Sequence, residues 1–200
     1  MQNLQKSLMQ QALGDAWEQL PPALQAHYRA GGNTESGHLD IDYPRFMQPL
    51  LTLLRWMGAL IDRSGTSVQT LVQRNMAGER QLWRRSMSYA DGQVRHFNSF
   101  WLYAGGNRLL EFINPVLGLE MAVRVDEQGR LHYEGQRFVL KLGRWLLTIP
   151  EWLALGHTTI VERALSENRY DMDFRLTHPI FGQVFRYSGE FEVEPRSSSK

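Results

Sequence analysis

The sequence predicts a mainly β protein of the α+β type, with a strongly curved antiparallel sheet or half-open barrel of about eight or nine strands. N-terminal helices and one apolar helix are expected to pack against this sheet. Beyond residue 66, short alternating runs are separated by turn residues such as Asp91-Gly92 and Gly105-Gly106, whereas earlier apolar residues recur mainly at helical spacing. Strands joined by short turns pair antiparallel, and a long sheet of this kind curves to bury one face.

Residues 1–32 predict a helical N-terminal segment. Apolar side chains recur at roughly helical spacing at Leu4, Leu8, Leu13, Trp17 and Leu20. Pro21-Pro22 interrupts this helix and can open a second one, because proline is tolerated in a first helical turn. Gly31-Gly32 then ends the second helix.

A strand and a long helix follow. In GHLDIDYP, residues 37–44, apolar and polar side chains alternate with a period of two, which is typical of a strand. From Pro44 to Asp62 the polar stripe is narrow and consists of Gln48, Thr52, Arg55, Ala59 and Asp62. A helix that is apolar nearly all round is expected to be mostly buried.

The rest of the chain predicts strands and turns. The strands are expected at residues 68–76, 79–89, 93–103, 108–113, 117–125, 130–142, 157–165, 169–177 and 183–193. One segment, Gly143 to Gly156, contains Pro150 and predicts a loop with a short helix. Residues 1–194 are expected to form a single domain, followed by a disordered tail, PRSSSK, at residues 195–200.

Composition excludes several classes of function. A net charge of +1 gives no case for nucleic-acid binding, which needs a concentrated basic face. The absence of cysteine excludes disulfides and thiolate chemistry. No run approaches the ~18 apolar residues of a membrane span, and the N-terminus lacks the pattern of a signal peptide, so a soluble cytoplasmic protein is expected. The chain also has no glycine-rich phosphate loop, HExxH or GxSxG, and no cofactor is expected.

Turn sequences also predict which residues face the interior. A two-residue turn at Asp91-Gly92 pairs Arg85 with Asn98, and one at Gly105-Gly106 pairs Phe100 with Glu111. The inward face then has an apolar part, made of Trp83, Met87, Val94, Phe100, Leu102, Leu109 and Ile113. It also has four polar members, Arg85, His96, Asn98 and Glu111.

Charges on an apolar face need partners. Because burying an unpaired charge costs several kcal/mol, Arg85 and Glu111 are expected to meet each other, a polar neighbour, water or a ligand. Three roles stay open for them. They can form an interior ion pair that fixes strand register, anchor the polar end of a ligand in an apolar pocket, or act as a catalytic pair.

Other polar residues are weaker candidates. His38, Asp40 and Asp42 share one strand face and could offer metal ligands, but a solvated strand face is the simpler interpretation. No metal site is expected. The apolar stretches around Trp56 and from Trp145 to Leu155 are expected to plug the sheet or to rim a lipid-sized cavity. A membrane-interface role ranks lower, because both stretches are poor in Lys and Arg.

The closing segment THPIFGQVFRYSGEF, residues 177–191, predicts a hairpin. Pairing Leu176 with Phe185 places three further inward pairs opposite each other, Phe174 with Tyr187, Met172 with Gly189 and Tyr170 with Phe191. The loop then consists of residues 179–182, and His178 ends a strand. Gly189 is expected to leave interior space for an aromatic neighbour or a ligand.

A series of motifs covers roughly Leu13 to Val193: AWEQLPPALQAHYRAGG, GHLDIDYP, WRRSM, the FNSF-to-LLEF hairpin, LGLEM, LTIPEWLALG and HPIFGQVFRYSGEF. Their order and spacing resemble the bacterial family "domain of unknown function 4166". The resemblance implies a Trp-x-Arg strand at Trp83 and Arg85, a glutamate at Glu111, a His-Pro at His178-Pro179, and a Tyr-x-Gly at Tyr187 and Gly189.

Members of that family occur alone or fused behind NAD(P)-binding reductase-like domains, and the resemblance carries over no established activity. This chain lacks a dinucleotide-binding fingerprint, so a reductase partner is expected to be a separate protein.

The sequence favours binding of an apolar small molecule or lipid over catalysis. The residues expected to contact the ligand are Trp83, Arg85, Asn98, Phe100, Glu111 and Tyr187. The alternatives are an enzyme on a hydrophobic substrate, with Glu111 as acid/base and Arg85 holding an anion, or an interaction module for a separate reductase.

Overall fold

Eleven strands form one antiparallel sheet within residues 6–56, 58 and 61–194, the part of the chain that the computed structural model describes. The first six are β1 (Asn33–Asp42), β2 (Gly65–Ala77), β3 (Arg80–Ser88), β4 (Val94–Gly105), β5 (Arg108–Phe112) and β6 (Leu117–Val125). The other five are β7 (Leu131–Leu142), β8 (Trp145–Ile149), β9 (His157–Ala164), β10 (Arg169–His178) and β11 (Gly182–Val193). The predicted disordered tail, residues 195–200, lies outside the described residues.

Ten of these strands close into a barrel. Their order is β6-β5-β4-β3-β2-β1-β11-β10-β9-β7, and β7 pairs again with β6. The predicted mainly β class is confirmed, but a half-open barrel of about eight or nine strands is wrong. Closure removes the rows of unpaired backbone N–H and C=O groups that an open sheet leaves at its edges.

β8 lies outside the barrel, in the segment predicted as a loop. It pairs with residues 138–142 of β7 across a two-residue turn at Gly143-Arg144. β9 occupies the same edge of β7 only at residues 131–134, so the rest of that edge is open to β8. The predicted short helix in this segment is present as a 3-10 turn at Glu151–Leu153.

The N-terminal helices cover one end of the barrel. They are α1 (Leu8–Leu13), a 3-10 helix (Gly14–Gln19) and α2 (Pro22–Tyr28), as the apolar spacing predicts from Leu8 onward; Leu4 lies outside the described residues. Ser7 and Gln10 start α1 with a reciprocal capping box. Because α2 leads directly into β1, we call this end of the barrel the helix end.

The opposite end is where β1, β7 and β10 finish, at Asp42, Leu142 and His178. These strands run in the same direction, because β1 and β10 are both antiparallel to β11, and β7 and β10 are both antiparallel to β9. We call it the far end. It carries a 3-10 turn (Arg45–Met47) and α3 (Gln48–Trp56).

The prediction that the helix after β1 is mostly buried is wrong. In α3, Leu51 and Leu54 are buried, whereas Leu50, Leu53 and Trp56 are exposed. A closed barrel offers the helix only its end to pack on, so one side of the helix stays uncovered. Residues 57, 59 and 60, which the predicted helix also includes, lie outside the described residues. No described helix is long and apolar enough to cross a membrane.

The predicted register of β4 is wrong, and β4 is turned over. The Tyr89 N–H donates to the Gln93 carbonyl at 2.9 Å, so the first turn has three residues and Arg85 pairs with Phe97. Gly92, at φ +80°, fits the left-handed position of such a turn. The next hairpin has a bulge and pairs Trp101 with Glu111. The two one-residue shifts cancel, so Arg85 and Glu111 still face inward.

The closing hairpin has the predicted pairs. Leu176 lies opposite Phe185, Phe174 opposite Tyr187, Met172 opposite Gly189 and Tyr170 opposite Phe191. The predicted four-residue loop is one residue too long, because a bulge pairs His178 with Gly182.

The predicted reason for Gly189 is also wrong. A Cβ at this position would collide with the carbonyl group of His38 on β1, so the glycine allows two strands to approach closely.

Candidate functional site

The barrel encloses a mostly apolar cavity between its two ends. Its volume, counted as the space open to the centre of a water molecule, is about 40 Å³. This is room for roughly three water molecules. Met87 and Met172, whose side chains are flexible, form part of the wall. The prediction of a lipid-sized cavity rimmed by the stretches around Trp56 and Trp145–Leu155 is therefore wrong. Ile61, from the first stretch, borders the cavity, whereas residues 145–155 do not.

Arg85 and Glu111 meet on the cavity wall, as the sequence predicts. Ser99 joins them, because its hydroxyl accepts from Arg85 Nη1 at 2.9 Å and donates to Glu111 Oε1 at 2.6 Å. Arg85 Nη2 lies 3.4 Å from the same carboxylate oxygen. The guanidinium also lies over the rings of Trp83 and Phe97, 4.9 and 5.0 Å from their centroids. The charge of Arg85 is thus balanced on several sides.

Beside this pair, the cavity wall carries hydrogen-bond donors for which the described residues supply no acceptor. The rings of Trp83 and Trp101 are 4.8 Å apart, and within the described residues neither buried indole Nε1–H has a hydrogen-bond partner. Tyr187 stacks on Phe174 at 4.5 Å, and its hydroxyl makes no hydrogen bond with the described part of the chain. Burial raises the pKa of Tyr187, so its hydroxyl keeps the proton it can donate.

Nearer the helix end, the carboxylate of Glu35 is surrounded by four donors. His27 Nδ1 lies 2.6 Å from Oε1, Asn33 Nδ2 2.7 Å from Oε1, and the Tyr170 hydroxyl 2.7 Å from Oε2. Arg74 Nη2 lies 3.4 Å from Oε1. Burial pulls the pKa of Glu35 upward, but His27, Arg74 and Tyr170 outweigh it and hold that pKa below its usual value. Glu35 is therefore an ionised carboxylate inside the barrel.

His27 is held by this carboxylate. Because Glu35 accepts from Nδ1, the other ring nitrogen, Nε2, is left as an acceptor, and it lies 3.9 Å from Glu162 Oε1. Burial lowers the pKa of His27 to about 4, against the opposing effect of Glu35. The imidazole is therefore neutral near pH 7.

Glu162 lies among tyrosines and, within the described residues, forms no ion pair with Arg74, which is paired with Glu35. The Tyr28 hydroxyl is 2.8 and 2.9 Å from its two oxygens, and Tyr133 donates to the Tyr28 hydroxyl. Burial, partly offset by these hydrogen bonds, raises the pKa of Glu162 to about 8. Glu162 thus carries a proton near pH 7.

Arg74 is a second arginine inside the barrel. It is among the most deeply buried side chains, and its Nε and Nη1 have no hydrogen-bond partner within the described residues. Its guanidinium lies over the rings of Tyr28 and Trp83, at 5.4 and 4.9 Å from their centroids. Aromatic faces therefore take the place of acceptors on that side.

The predicted contact residues divide into two groups. Four line the cavity together: Trp83, Arg85, Glu111 and Tyr187. Asn98 and Phe100 do not, because β4 is turned over; Asn98 is exposed and Phe100 stacks on Phe112 outside the cavity. The same reversal places the exposed His96 outside, beside Ser86.

The weaker candidates lie away from the cavity. His38, Asp40 and Asp42 are exposed on the outer face of β1, and no group of three His, Asp or Glu side chains in the described ranges could hold a metal ion. His178 ends β10, where its Nδ1 accepts from the Ile180 N–H.

Sequence reasoning missed the cluster of His27, Glu35, Arg74 and Glu162 near the helix end, although a signal for it exists. In β2, Val68, Thr70, Val72 and Arg74 are the inward residues, so Arg74 interrupts an apolar face as Arg85 does. Glu162 follows Ile160 in the same way on β9. Glu35 precedes the predicted start of its strand, and only the fold brings His27 to it.

Comparison with known proteins identifies a family for the chain. A family model described as "Domain of unknown function (DUF4166)" matches residues 20–191, nearly the whole chain. The resemblance inferred from motif order is thus confirmed. No curated protein matches the chain.

Proposed function

The chain belongs to the family of domains of unknown function 4166, and from the geometry of its barrel we propose that it binds a neutral, largely apolar small molecule. One observation carries the proposal: the indole N–H groups of Trp83 and Trp101 line the cavity without acceptors in the described chain. Buried donors in proteins are nearly always satisfied by protein, water or ligand. An oxygen of the ligand would replace water as their acceptor.

The charge balance of the interior supports a neutral ligand. Arg85 is paired with Glu111 and Arg74 with Glu35. Near pH 7 His27 lacks a proton and Glu162 keeps one, so both are uncharged. A bound carboxylate would add an uncompensated charge to this interior, which costs several kcal/mol. A carbonyl, ether or hydroxyl oxygen fits the free donors without that cost.

The size of the cavity supports a compact ligand over a lipid. Engineered apolar cavities that bind benzene have volumes of about 150 Å³, which exceeds the 40 Å³ found here. Met87 and Met172 would have to move to admit one aromatic ring, and their flexible side chains suit this adjustment. An acyl chain would demand much larger rearrangement of a closed barrel.

Indole N–H signals in 15N NMR spectra test the proposal, using three ring compounds of similar size. Methyl benzoate, a neutral ester, is expected to shift the signals of Trp83 and Trp101. Ethylbenzene, which lacks an acceptor, and benzoate, which is charged, should shift them less. Trp17, buried outside the cavity, and Trp145, exposed on β8, are internal controls.

Variants sharpen this experiment. Trp101→Phe keeps an aromatic ring and removes the N–H. It should therefore weaken the binding of methyl benzoate more than the binding of ethylbenzene. Trp145→Phe makes the same change at an exposed ring outside the cavity and is the matched control. Failure of both cavity indoles to respond to any of the three compounds, or a stronger response to benzoate, would overturn the proposal. Mass spectrometry of an organic extract of the purified protein then identifies the natural ligand.

A second candidate is acid–base catalysis on a ligand held in the same cavity, and the Glu35–His27 pair favours it. Glu35 fixes the imidazole through Nδ1 and leaves Nε2 as a proton acceptor on the cavity wall. Protonated Glu162, 3.9 Å away, could return a proton. These groups suit catalysis better than the predicted Glu111, whose Oε1 already accepts from Ser99 and Arg85.

Solvent deuterium uptake distinguishes catalysis from binding. Acetophenone is the test compound here, because it has C–H hydrogens next to its carbonyl and methyl benzoate has none. Wild-type protein should exchange these hydrogens for deuterium, and His27→Gln should stop the exchange while acetophenone still shifts the indole signals of Trp83 and Trp101. If the wild type binds the compound without exchanging its hydrogens, the catalytic function is ruled out and the binding function stands.

A further inference from the structure

Large apolar side chains are concentrated on the outside of the far end. The 3-10 turn and α3 expose Phe46, Leu50, Leu53 and Trp56; the β10–β11 loop exposes Ile180 and Phe181; β8 and the following 3-10 turn expose Trp145, Leu146, Leu147, Trp152 and Leu153. We call these residues the apolar rim. Its three tryptophans are 79, 65 and 62% exposed, at Trp56, Trp145 and Trp152. Water is a poor environment for so much apolar surface.

The rim is continuous across separate segments of the chain. The ring of Phe46 lies 5.8 Å from that of Phe181 on the β10–β11 loop. On the other side of this loop, Pro179 and Trp152 line the same surface hollow. Elements distant in sequence thus place their exposed apolar side chains side by side. The folding of any one helix or strand does not require this arrangement.

β8 exposes apolar side chains on both of its faces. Trp145, Leu146 and Leu147 are consecutive, so they point to alternate faces of the strand, and all are exposed. A strand that packs on a core has one apolar and one polar face. An apolar strand exposed on both faces fits an environment that surrounds it.

The charges beside the rim are mainly positive. Arg45, Lys141 and Arg144 are exposed, and none of them has an acidic partner among the described residues. At the same end, Asp42 has no basic partner in the part of the chain that the structure describes, and Arg55 is paired with Asp62. Arg144 lies 5.5 Å from the ring centroid of Trp145. Tryptophan and leucine flanked by cations are the residues that anchor peripheral proteins in the lipid headgroup region.

From this surface we propose that the far end of the barrel docks on an anionic lipid bilayer. Trp56, Trp145 and Trp152 insert at the headgroup level, while Arg45, Lys141 and Arg144 contact the lipid phosphates. This proposal does not depend on the ligand-binding function.

A lipid surface fits the rim better than a second copy of the chain. Two copies could pair edge to edge through β8, since among the described strands β8 pairs with β7 alone. Such a dimer would use the edge of β8 and leave α3 and Ile180 exposed. It would also bring Lys141 and Arg144 of both copies close together, and repulsion between like charges disfavours this.

Vesicle co-sedimentation of the full chain tests the proposal. We expect binding to phosphatidylcholine vesicles that contain phosphatidylglycerol, weaker binding to pure phosphatidylcholine, and a blue shift of tryptophan emission on binding. The double variant Trp145→Ser/Trp152→Ser should lower vesicle affinity at least about tenfold, because it removes two apolar anchors. Lys141→Glu/Arg144→Glu should abolish the preference for anionic vesicles.

Tyr103→Ser/Leu165→Ser is the matched control. These two side chains are 40 and 42% exposed and lie at the helix end, so vesicle binding should not change. The proposal is overturned if the wild type does not bind anionic vesicles, or if the rim and control variants bind equally. It is also overturned if sedimentation shows a dimer that the rim variant dissociates while vesicle binding is absent.

Discussion

Arg85 and Glu111 show how the barrel interior accommodates a charge. Ser99 bridges the two side chains and aromatic rings cover the guanidinium, while the carboxylate of Glu111 neutralises its charge. The sequence predicts the pair because both residues interrupt apolar strand faces.

We expect Glu111→Gln to lower the free energy of unfolding by about 1–3 kcal/mol, because Arg85 keeps its charge and loses its anion. Urea unfolding measures the change. Glu79→Gln, at an exposed position, is the control and should stay within about 0.5 kcal/mol of the wild type. An unchanged free energy of unfolding in Glu111→Gln would contradict the burial of this pair.

Glu162 predicts a particular dependence of stability on pH. Its pKa is about 8 in the folded protein and near 4.5 in the unfolded chain, so between these values the folded state holds one proton more. Stability contributed by this group therefore falls as pH rises through that window and levels off above pH 8. His27, with a lowered folded pKa, acts in the opposite sense but only below about pH 6.5.

Between pH 6.5 and 8, Glu162 therefore changes stability without an opposing contribution from His27. Between these values the wild type should lose up to about 2 kcal/mol relative to Glu162→Gln, which cannot ionise. Denaturant unfolding of both proteins at several pH values gives the difference. Parallel stability curves across this window would show that the folded pKa of Glu162 is not raised.

At the scale of the element, the turns decide which side chains the barrel encloses. Asp91-Gly92 suggests a two-residue turn, yet Ala90 joins it and turns β4 over, exchanging Asn98 and Phe100 for Ser99 and Trp101. Local sequence does not separate these turn lengths, because Gly92 suits both. Packing does: the observed register buries Phe97 and Trp101 and exposes His96 and Asn98.

The close contact between β1 and β11 predicts that adding a methyl group at Gly189 lowers the stability of the protein. Gly189→Ala should destabilise the protein by about 3 kcal/mol, because its Cβ would collide with the His38 carbonyl. Gly143→Ala is the comparison: nothing lies within 4 Å of its Cβ, and only its φ of +60° opposes the change. That variant should lose about 1 kcal/mol. Equal losses in urea unfolding would argue against a close β1–β11 contact.

At the scale of the whole molecule, closure separates two populations of tryptophan. Trp17, Trp83 and Trp101 are at most 8% exposed, whereas Trp56, Trp145 and Trp152 are at least 62% exposed. Acrylamide should therefore give a Stern–Volmer plot that curves downward, since it quenches only the second group efficiently. In the rim variant Trp145→Ser/Trp152→Ser, acrylamide should quench a smaller fraction of the tryptophan emission, because two of the exposed tryptophans are gone. A linear plot with full quenching would indicate an open barrel.

The sequence by itself determined the mainly β class, the helical N-terminus, the closing hairpin pairs and the meeting of Arg85 with Glu111. Each of these follows from alternation, turn residues or the cost of an unpaired charge, all of which act over a few residues. Tertiary structure alone decided closure through β6–β7, the inward side of β4, the exposed face of α3 and the approach of His27 to Glu35. These depend on how distant segments compete for the same interior, and that competition is settled only when the whole barrel forms.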